Sequence, residues 1–554
     1  MALDAGRGRR RRSEQQPKGR WVTLRKASQY LTLLITLVFF VMTRMGGERA
    51  DLLALPIRFD PLAMFVHLLS SKVFLLGSTL ALVTIILTLL LGRAWCGWLC
   101  PLGTVLDLFS LKRWRIRSAS PAETWRGVKY SILLVILVAA LFGNLTLMVL
   151  DPLTLLFRTL TVSVWPLLNQ LITTAETFLY RVTPLARPIS SFDTWVRPDI
   201  LPAEPVQYRQ TWIFVGVFLG VIALNVIAPR FWCRYLCPLG ALLGLFSKAA
   251  FVRREVREDC KGCALCTDVC PTGTINSAQD YASDPSECTM CMDCLEACPR
   301  SSVVFSSSLS LAAWNEYDPN RRKVLTSIGA GVAGIVLLQV DWLTGRQSPT
   351  MLQPPGGSLN DMLSKCIRCG MCMRACPTGA IQPAMLEAGL EGMWSPIIIP
   401  RLGYCDYACN ACGQVCPVEA IPPLNLEDKR VQVIGKAAIN QEICIAWAEK
   451  TDCIVCEEMC PLPEKAIQLE PTEMVHEDGT VVTVLLPEVL SEGCIGCGIC
   501  EYKCPVEGES AIRITVVEEE FVTEWTDGTT VWRDEEGSAM VFVSGDDEVH
   551  IRHR

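Results

Sequence analysis

The sequence predicts a multi-domain protein in which an α-helical membrane domain is followed by α+β domains. Its 28 cysteines stand in tight blocks, which favours metal-binding loops over scattered disulfides. From residue 255 onward the composition becomes that of a soluble protein, with β-like runs such as TVVTVLL and AMVFVSG beside Asp-Gly or Gly-Asp turns. Apolar runs long enough to cross a bilayer lie near 28–45, 73–95, 128–150 and 211–229, with a less apolar one at 324–342.

Composition and charge exclude several classes of protein. Of the 554 residues 50% are hydrophobic, the mean hydropathy is +0.31 and the formal net charge is −6. The basic start GRGRRRRSEQQPKGR precedes an apolar run, so we interpret it as a cytoplasmic anchor rather than a nucleic-acid-binding segment. No Cys-x-x-Cys-His string occurs and only His67 lies in the apolar half, which argues against haem.

The basic residues also predict the orientation of the membrane domain. Loop 93–129 and the region after residue 229 are rich in lysine and arginine, which places both on the cytoplasmic side with the N-terminus. Four spans satisfy these three placements. The apolar segment 151–182 is interrupted by Arg158 and Pro166, so we expect it to be interfacial or re-entrant.

Two cysteine runs follow the membrane domain with the spacing C-x₂-C-x₂-C-x₃-C-P: CKGCALCTDVCP at 260–271 and CTMCMDCLEACP at 288–299. In bacterial two-cluster ferredoxins, three thiolates of such a run hold one [4Fe–4S] cubane and the fourth serves its neighbour. Zinc is the alternative, but zinc sites do not require the repeated Cys-Pro ending. The predicted ligands are Cys260, Cys263, Cys266 and Cys298 for one cluster, and Cys288, Cys291, Cys294 and Cys270 for the other.

Four more quartets follow, and each ends in Cys-Pro. The second has one extra residue after its first cysteine, and the third has a long insertion there. The six quartets use 24 cysteines with none left over, so six cubanes are expected, and loops this short need them to fold. The predicted ligands are Cys366, Cys369, Cys372 and Cys376; Cys405, Cys409, Cys412 and Cys416; Cys444, Cys453, Cys456 and Cys460; and Cys494, Cys497, Cys500 and Cys504.

An eighteen-residue stretch occurs twice, as RAWCGWLCPLGTVLDLFS and RFWCRYLCPLGALLGLFS, with 12 identical positions. Each copy ends an apolar run on the predicted cytoplasmic side, which suggests two-fold pseudosymmetry. Packing of small buried cysteines is one interpretation. Because these cysteines lie outside the six quartets and repeat with their proline, we predict that they converge as a redox site, either a seventh cluster or a thiol pair. The four residues are Cys96, Cys100, Cys233 and Cys237.

The predicted fold is therefore an α-helical membrane domain plus α+β ferredoxin-like domains stabilised by clusters. The predicted parts are a basic cytoplasmic N-terminus (1–27), a membrane domain with about four spans (28–250), a cytoplasmic two-cluster ferredoxin (251–310), a paired-arginine segment with a fifth span (318–345) and a four-cluster module (356–554).

These motifs carry a resemblance to known families. Residues 1–305 resemble NapH, the membrane component of quinol-oxidising ferredoxin pairs, and its relatives NosR, MauN and CcoG. Residues from about 318 onward resemble NapG, a four-cluster ferredoxin with a twin-arginine signal, so the chain resembles a NapH–NapG fusion. The resemblance implies nested pairing of the last four quartets, the first with the fourth and the second with the third. Cys376 and Cys504 would then exchange clusters, as would Cys416 and Cys460, although the sequence alone also allows sequential pairing.

The segment NRRKVLTSIGAGVAGIVLLQV, residues 320–340, bears on the side of the C-terminal module. A paired arginine before an apolar stretch is typical of twin-arginine signals. Basic residues that simply anchor a span are the second interpretation. Both put the module outside the cytoplasm, whereas a buried soluble helix would leave it inside. We predict extracytoplasmic placement, because clusters are loaded before export of the folded state.

Together these features predict a multi-pass protein of the cell membrane that passes electrons from quinol through [4Fe–4S] clusters to a terminal reductase or carrier protein. Neither a G-x-G-x-x-G after a strand nor a P-loop is present, so no catalytic residue is predicted. The alternative is a maturation factor that supplies electrons to a metal centre of a respiratory enzyme. The sequence does not place the quinol site. Asp60, His67 and Asp151 are ionisable residues near the outer face, with ordinary loop polarity as the other interpretation.

Overall fold

The computed structural model describes residues 19–44, 50–110, 123–181, 186–197, 200–201, 206–307, 321–338, 351–387, 389–475, 480–516, 522–526, 529–533, 539–543 and 552–553. The basic stretch at 1–18 and the flanks of the paired-arginine segment, 318–320 and 339–345, lie outside these ranges.

Residues 20–247 form a helical domain in which short and long helices alternate. Its helices are α1 (Arg20–Met42), α2 (Ala50–Leu53), α3 (Leu55–Arg58), α4 (Pro61–Ser71), α5 (Leu80–Leu91), α6 (Pro101–Leu108), α7 (Val128–Leu141), α8 (Pro152–Thr159), α9 (Trp165–Leu179), α10 (Ala186–Val196), α11 (Thr211–Ala223) and α12 (Pro238–Ser247). There are π-helical turns at Trp95–Leu99, Leu160–Val164 and Trp232–Leu236, and 3-10 turns at Leu76–Thr79, Glu123–Gly127, Thr146–Leu150 and Leu224–Val226.

Two regions of short helices and strands follow, which we call the first cysteine module (252–307) and the second cysteine module (351–516). Their helices, and the isolated helix α15 between them, are α13 (Leu265–Val269), α14 (Asp293–Ala297), α15 (Arg321–Leu338), α16 (Leu359–Lys365), α17 (Met371–Ala375), α18 (Ala411–Gln414), α19 (Leu426–Arg430), α20 (Ile445–Ala448), α21 (Val455–Glu458) and α22 (Ile499–Lys503).

The described strands pair antiparallel, mostly as two-stranded sheets. The predicted β-runs TVVTVLL and AMVFVSG supply two of these strands. The pairs are β1 (Val252–Val256) with β4 (Val303–Ser307), β2 (Ile275–Asn276) with β3 (Ala282–Ser283), β5 (Ile381–Pro383) with β6 (Pro396–Ile398), β7 (Lys436–Ile439) with β10 (Ile512–Thr515), and β8 (Ile467–Val475) with β9 (Val481–Val489). A four-stranded sheet follows in the order β11 (Val522–Thr526), β12 (Thr529–Arg533), β13 (Ala539–Val543) and β14 (Arg552–His553).

The two copies of the repeated eighteen-residue stretch fold alike. In each, a π-helical turn carries the first cysteine and the second cysteine is extended, with φ −69° and ψ 116° at Cys100 and φ −67° and ψ 113° at Cys237. Proline disfavours the helical region for the residue before it, yet suits the first position of a helix. The Cys-Pro step therefore ends the π turn and begins α6 or α12.

The apolar helices differ in length from the predicted spans. Two helices in the described ranges are long and apolar enough to cross a bilayer by length and composition, Arg20–Met42 and Pro152–Leu179. Helices α5, α7 and α11 hold 12, 14 and 13 residues, shorter than the expected runs. Helix α15 covers residues 324–338 of the predicted fifth span but is not one of the two helices that are long and apolar enough to cross, and Gly331 lets its backbone approach Val138 of α7.

The segment predicted to be broken, 151–182, is instead helical without interruption from Pro152 to Leu179. Arg158 does not break it, because its guanidinium is buried and donates to two backbone carbonyl oxygens. Pro166 is the second residue of α9, which begins directly after the π-helical turn. Proline has no N–H to donate and its ring crowds the preceding turn of an α-helix. The wider π turn gives that ring room, so the helix continues past Pro166.

Helix α1 connects the two cysteine modules. The backbone N–H groups of Trp21 and Val22, at its first turn, donate to Glu296 Oε1 of the first module at 2.7 and 3.1 Å. At its last turn the carbonyl oxygen of Phe40 accepts from Arg374 Nε of the second module at 3.2 Å. A 23-residue helix rises about 35 Å. The two modules therefore contact opposite ends of the helical domain.

Candidate metal centres

The regular cysteine runs share one local conformation. A residue in the left-handed region precedes a helix of five residues: φ is 59° at Ala264, 64° at Met292, 81° at Gly370 and 80° at Gly498. The left-handed step folds the chain tightly, so that the third cysteine of the run enters the short helix beside the first two. The fourth cysteine is extended at the helix end, as Cys270 shows with φ −67° and ψ 113°, because proline follows.

In the first cysteine module the structure groups the cysteines as the spacing predicts. Cys270 lines one cavity with the first three cysteines of the other run, Cys288, Cys291 and Cys294. Arg254 Nε donates to Cys294 Sγ at 3.4 Å in the same cavity wall. Cys266 and Cys298, from the other predicted ligand set, pack in the same apolar core as Cys294.

In the second cysteine module the pairing is sequential, and the nested pairing implied by the NapG resemblance is corrected. The first and second quartets exchange their last cysteines, and so do the third and fourth. Short strand pairs accompany this pairing: β5 with β6 folds the chain back between the first two quartets, and β8 with β9 folds it back between the last two. The groups are Cys366, Cys369, Cys372 and Cys416; Cys405, Cys409, Cys412 and Cys376; Cys444, Cys453, Cys456 and Cys504; and Cys494, Cys497, Cys500 and Cys460.

The repeated cysteines of the helical domain also come together. The pKa of Cys233 is raised to about 11, mainly by burial and against the nearby Arg230, and the neighbouring Cys96 also acts to raise it. Burial likewise raises the pKa of Cys100 and Cys237, each of which lies near the cysteines of the other copy. The convergence that the repeat predicts is therefore present in the structure.

The geometry of the groups fits cubanes better than single metal ions. Among the described residues no three Cys, His or carboxylate side chains converge on a point as the ligands of one ion do. Three cavities are instead each ringed by a complete group of four cysteines. Burial raises the pKa of Cys369, Cys405 and Cys456 to about 12, so these thiols hold their protons unless a metal displaces them. A [4Fe–4S] core matches four thiolates spread around a cavity.

The groups follow one another in space. Cys294 lies near Cys266 within the first module. Arg230 lies close enough to interact electrostatically with both Cys291 of that module and Cys233 of the helical domain. The first module therefore borders the four repeated cysteines.

Within the second module the order is equally continuous. Cys372 of the first group lies near Cys412 of the next. The Cys405 N–H donates to the Cys497 carbonyl oxygen at 2.8 Å, and Cys500 lies near Cys456 of the last group. The second module thus holds four groups in a row, and the group of Cys366 lies at the helical domain.

Sequence reasoning missed the buried arginines beside the cysteines. Arg158 Nη1 donates to the Arg368 carbonyl oxygen at 2.7 Å, within the loop of the Cys366 group. Arg93 and Arg230 each open one copy of the repeat and are buried near the repeated cysteines. Their identical place in both copies was the signal that could have found them. Cations in these positions would offset the negative charge of a thiolate-bound cluster.

Comparison with protein families agrees with this chemistry. A model described as a 4Fe-4S binding domain matches residues 73–118 and 210–257, which include both copies of the repeat. A 4Fe-4S dicluster domain matches 253–299, and another 4Fe-4S binding domain matches 362–382. The chain is therefore a [4Fe–4S] iron–sulfur protein.

Comparison with curated proteins gives the family. The ferredoxin-type protein MauM for methylamine utilization from Methylorubrum extorquens is 33% identical over 209 residues, 35% of this chain and 89% of the relative. MauM from Paracoccus denitrificans is 35% identical over 170 residues, 29% of this chain and 70% of the relative. The ferredoxin-type protein NapG from Escherichia coli is 32% identical over 200 residues, 35% of this chain and 82% of the relative.

The chain belongs to the family of ferredoxin-type proteins that includes MauM and NapG, and this similarity covers about a third of its length. The predicted iron–sulfur clusters and ferredoxin character are thereby confirmed. The resemblance of the first 305 residues to NapH stays a prediction. No solved protein structure is significantly similar to this chain.

Proposed function

We propose that this protein is a membrane-bound electron carrier that takes electrons from quinol and passes them through [4Fe–4S] centres to a terminal reductase or carrier protein. In this proposal a NapH-like half and a NapG-like half are joined in one chain. The observation that carries the proposal is the row of cysteine groups, which runs through the second module and resumes in the helical domain and first module.

Each bound cubane would supply a one-electron couple. The residues of the chain determine where those couples lie and how readily they accept an electron. Cys-Pro turns hold the thiolates, and buried guanidinium groups such as those of Arg158, Arg230 and Arg254 place positive charge beside them. Positive charge favours the reduced, more negative state of a centre.

The contacts of α1 support a transmembrane arrangement. Its 23 residues can cross a hydrocarbon core of about 30 Å, and its two ends contact different cysteine modules. The proposed topology puts the first cysteine module in the cytoplasm and the second outside. Helices α5, α7 and α11, which are short for spans, would cross with help from the turns that flank them.

Quinol-driven reduction of the purified, cluster-loaded protein tests the function. We expect quinol to reduce the clusters, with two electrons and two protons leaving each quinol molecule, and we expect a suitable acceptor protein to reoxidise them. Visible absorbance and EPR spectra report both steps. A sample reduced by dithionite but left oxidised by quinol, with or without an acceptor, would refute quinol as the donor.

The repeated cysteines are proposed to hold a seventh cluster. The parent protein should then contain about 28 irons, and the double variant Cys96→Ala/Cys233→Ala about 24, with four irons in each cubane. Acid-labile sulfide should fall in parallel. Equal iron content in the two proteins would leave the four thiols as a redox pair without metal.

A role in maturation is distinguished by deletion of the gene. If the protein carries respiratory electrons, the partner reductase will be fully metallated but will not receive electrons. If the protein serves assembly, the partner will lack metal. The number of cysteine groups favours electron transfer, because delivery of a few electrons during assembly does not need so many carriers.

A further inference from the structure

Helices α4 and α8 begin with the same tripeptide, Asp-Pro-Leu, at 60–62 and 151–153. In both, the aspartate is the N-cap. Asp60 Oδ1 accepts from the backbone N–H groups two and three residues further on, at 2.8 and 3.4 Å. Asp151 Oδ2 makes the same two contacts at 2.9 and 3.0 Å. Each carboxyl thus uses one oxygen as a helix cap and keeps the other free for a different partner.

The two carboxyl groups meet each other. They are close enough for each to affect the ionisation of the other, and the residues are 2% and 0% exposed. The remaining oxygen of Asp151, Oδ1, is buried and receives no hydrogen bond from an N–H or O–H donor in the described ranges. Two carboxylates buried side by side repel each other, and a proton held by one of them removes that repulsion.

The charged residues nearest in sequence make contacts elsewhere. Arg58 packs its guanidinium against Gly77, where a Cβ atom would lie 3.1 Å from Arg58 Cζ. His67 Nδ1 lies 3.3 Å from Ser71 Oγ at the far end of α4. Lys365 and Asp361 of α16, which packs on α4, pair with each other at 2.6 Å. Arg158, at the far end of α8, donates to backbone carbonyl oxygens.

The other helices packed around the pair bring no free charge to it. Helices α5, α11 and α12 contain no titratable side chain. Asp107 of α6 pairs with Arg230 at 2.6 Å. Lys129 of α7 pairs with Glu287 of the first cysteine module at 2.6 Å, and Tyr130 faces the same loop. The pKa values of the two carboxyls are therefore set by burial, by their mutual interaction and by the capping N–H groups.

Burial raises the pKa of Asp60, and burial together with the charge of Asp60 raises the pKa of Asp151. Two carboxyls in contact cannot both ionise at neutral pH, so the pair keeps one proton. The four capping N–H groups and the positive ends of two helix dipoles stabilise the one remaining negative charge.

The pair lies between redox centres. Helices α4 and α8 both run from it to the loop of the Cys366 group, about 10 to 16 Å away by helix rise. There Ser70 Oγ donates to the Ser364 carbonyl oxygen at 2.5 Å, and Arg158 donates to that of Arg368. On the other side, the ring of Phe59 lies 6.1 Å from that of Trp95, the neighbour of Cys96.

We propose that Asp60 and Asp151 form a redox-linked proton site, which holds one shared proton and binds a second when an electron reaches the centre of Cys366, Cys369, Cys372 and Cys416. The proposal rests on the electron-transfer function above. The electron enters the centre, the proton comes from water, and one O–H bond forms at the carboxylate. Reoxidation of the centre returns the proton to water, so charge in the buried region is unchanged by either step.

Chemical reduction of the loaded protein tests this without using quinol. Infrared difference spectra between dithionite-reduced and oxidised protein should show a new carboxylic acid C=O band that shifts in D₂O. In an EPR-monitored titration, the midpoint potential of one centre should fall by about 59 mV per pH unit, the one-electron equivalent of a tenfold change in proton concentration.

Asparagine variants provide the matched test. Asp60→Asn and Asp151→Asn keep an oxygen for the helix cap and remain uncharged, so they imitate the protonated acid. In each variant the C=O band should be missing, and the midpoint potential of the centre should no longer change with pH. Asp193→Asn, at a partly exposed carboxyl that bonds to Tyr180 and Arg197, should leave both signals unchanged.

The outcomes separate the two proposals. A band and a pH-dependent potential that persist in both asparagine variants, or that are missing in the parent, overturn the proton site. The parent spectrum decides this even if a variant fails to assemble. If dithionite gives the expected signals but quinol does not reduce the protein, the proton site stands and quinol fails as the donor.

Discussion

Position 97 shows how a single residue breaks the symmetry of the repeat. The first copy has Gly97 where the second has Arg234. A Cβ at Gly97 would lie 2.1 Å from the Thr289 carbonyl oxygen of the first cysteine module, whereas Arg234 covers Gly273 of the same module. The first copy therefore needs a residue without a side chain, Gly97, so that the first cysteine module can pack against it. The second copy contributes the positive charge of Arg234 to the same module.

Replacing Gly97 by alanine should loosen this docking. The added methyl group has no room beside a backbone oxygen, so the first module must move away and the magnetic interaction between its clusters and any centre at the repeat should weaken in EPR spectra. Gly216→Ala is the control, because nothing lies within 4 Å of its Cβ position and alanine favours a helix by about 1 kcal/mol. Unchanged EPR coupling in the Gly97 variant would contradict the observed docking.

Arg158 illustrates a residue whose role depends on burial. Its side chain donates to the carbonyl oxygens of Arg368 at 2.7 Å and Trp394 at 2.6 Å, and stacks 4.9 Å from the ring centroid of Phe214. A cation in this position joins the helical domain to the second module and lies beside the Cys366 group.

Arg158→Met should therefore weaken the structure and alter one potential. Two buried carbonyl oxygens lose their donors, at about 1–3 kcal/mol each, so the thermal midpoint should drop clearly. Loss of the positive charge should lower the reduction potential of the nearest centre. Arg209→Gln is the matched control, because the Arg209 side chain is 56% exposed and its Nη1 lies 3.8 Å from Glu387 Oε1. An exposed pair of this kind contributes little to stability. A normal thermal midpoint and potential would show that Arg158 is not needed at this interface.

At the scale of elements, the cysteine modules are built from pieces too short to stand alone. Helices α13, α14, α17 and α22 have five residues each, and the sheets of the two modules have two strands. Isolated helices shorter than about 12 residues are marginal in water, and so are single hairpins. Each bound cluster ties the cysteines of two quartets to one core, so the clusters must supply much of the stability.

Removal of iron should unfold the two cysteine modules and spare the helical domain. After oxidation and chelation, we expect protease to cut within 252–307 and 351–516 while α1, α7 and α9 stay helical by circular dichroism. Rebuilding with iron and sulfide should restore resistance to protease. Cysteine modules that resist protease without iron would show that their apolar cores suffice.

At the scale of the whole molecule, α1 sets the distance between the two modules. Its first turn bonds to Glu296 and its last turn to Arg374, so the modules are separated by the length of the helix. If α1 crosses a membrane, the modules lie on opposite sides, and the row of centres can carry electrons from one side to the other.

Accessibility in membrane vesicles tests this arrangement. An epitope inserted in the turn between β2 and β3 should react only in inside-out vesicles, whereas a tag after residue 554 should react only in right-side-out ones. A double-tagged protein serves as its own control for vesicle orientation. Reaction of both tags in the same preparation would place both modules on one side.

The local patterns were sufficient for much of the site. The spacing of cysteines predicted the ligand loops, and the repeated motif predicted that Cys96, Cys100, Cys233 and Cys237 lie together. Both inferences depend on residues close in sequence or on an internal duplication. The prediction of long apolar spans was less accurate, because hydropathy does not register Gly92, whose φ of 67° ends α5, or the 3-10 turn Leu224–Val226 that follows α11.

By itself the sequence determined that this protein binds iron–sulfur clusters in loops of C-x₂-C-x₂-C-x₃-C-P type and that its helical domain contains a duplication. The tertiary structure decided which quartets exchange their last cysteine, that Arg158 is buried rather than helix-breaking, and that Asp60 meets Asp151. Spacing along the chain is set by the covalent backbone and can be read directly. Contacts between residues nearly a hundred positions apart, such as Asp60 and Asp151, depend on how the helices pack. Helix packing cannot be read from the order of residues.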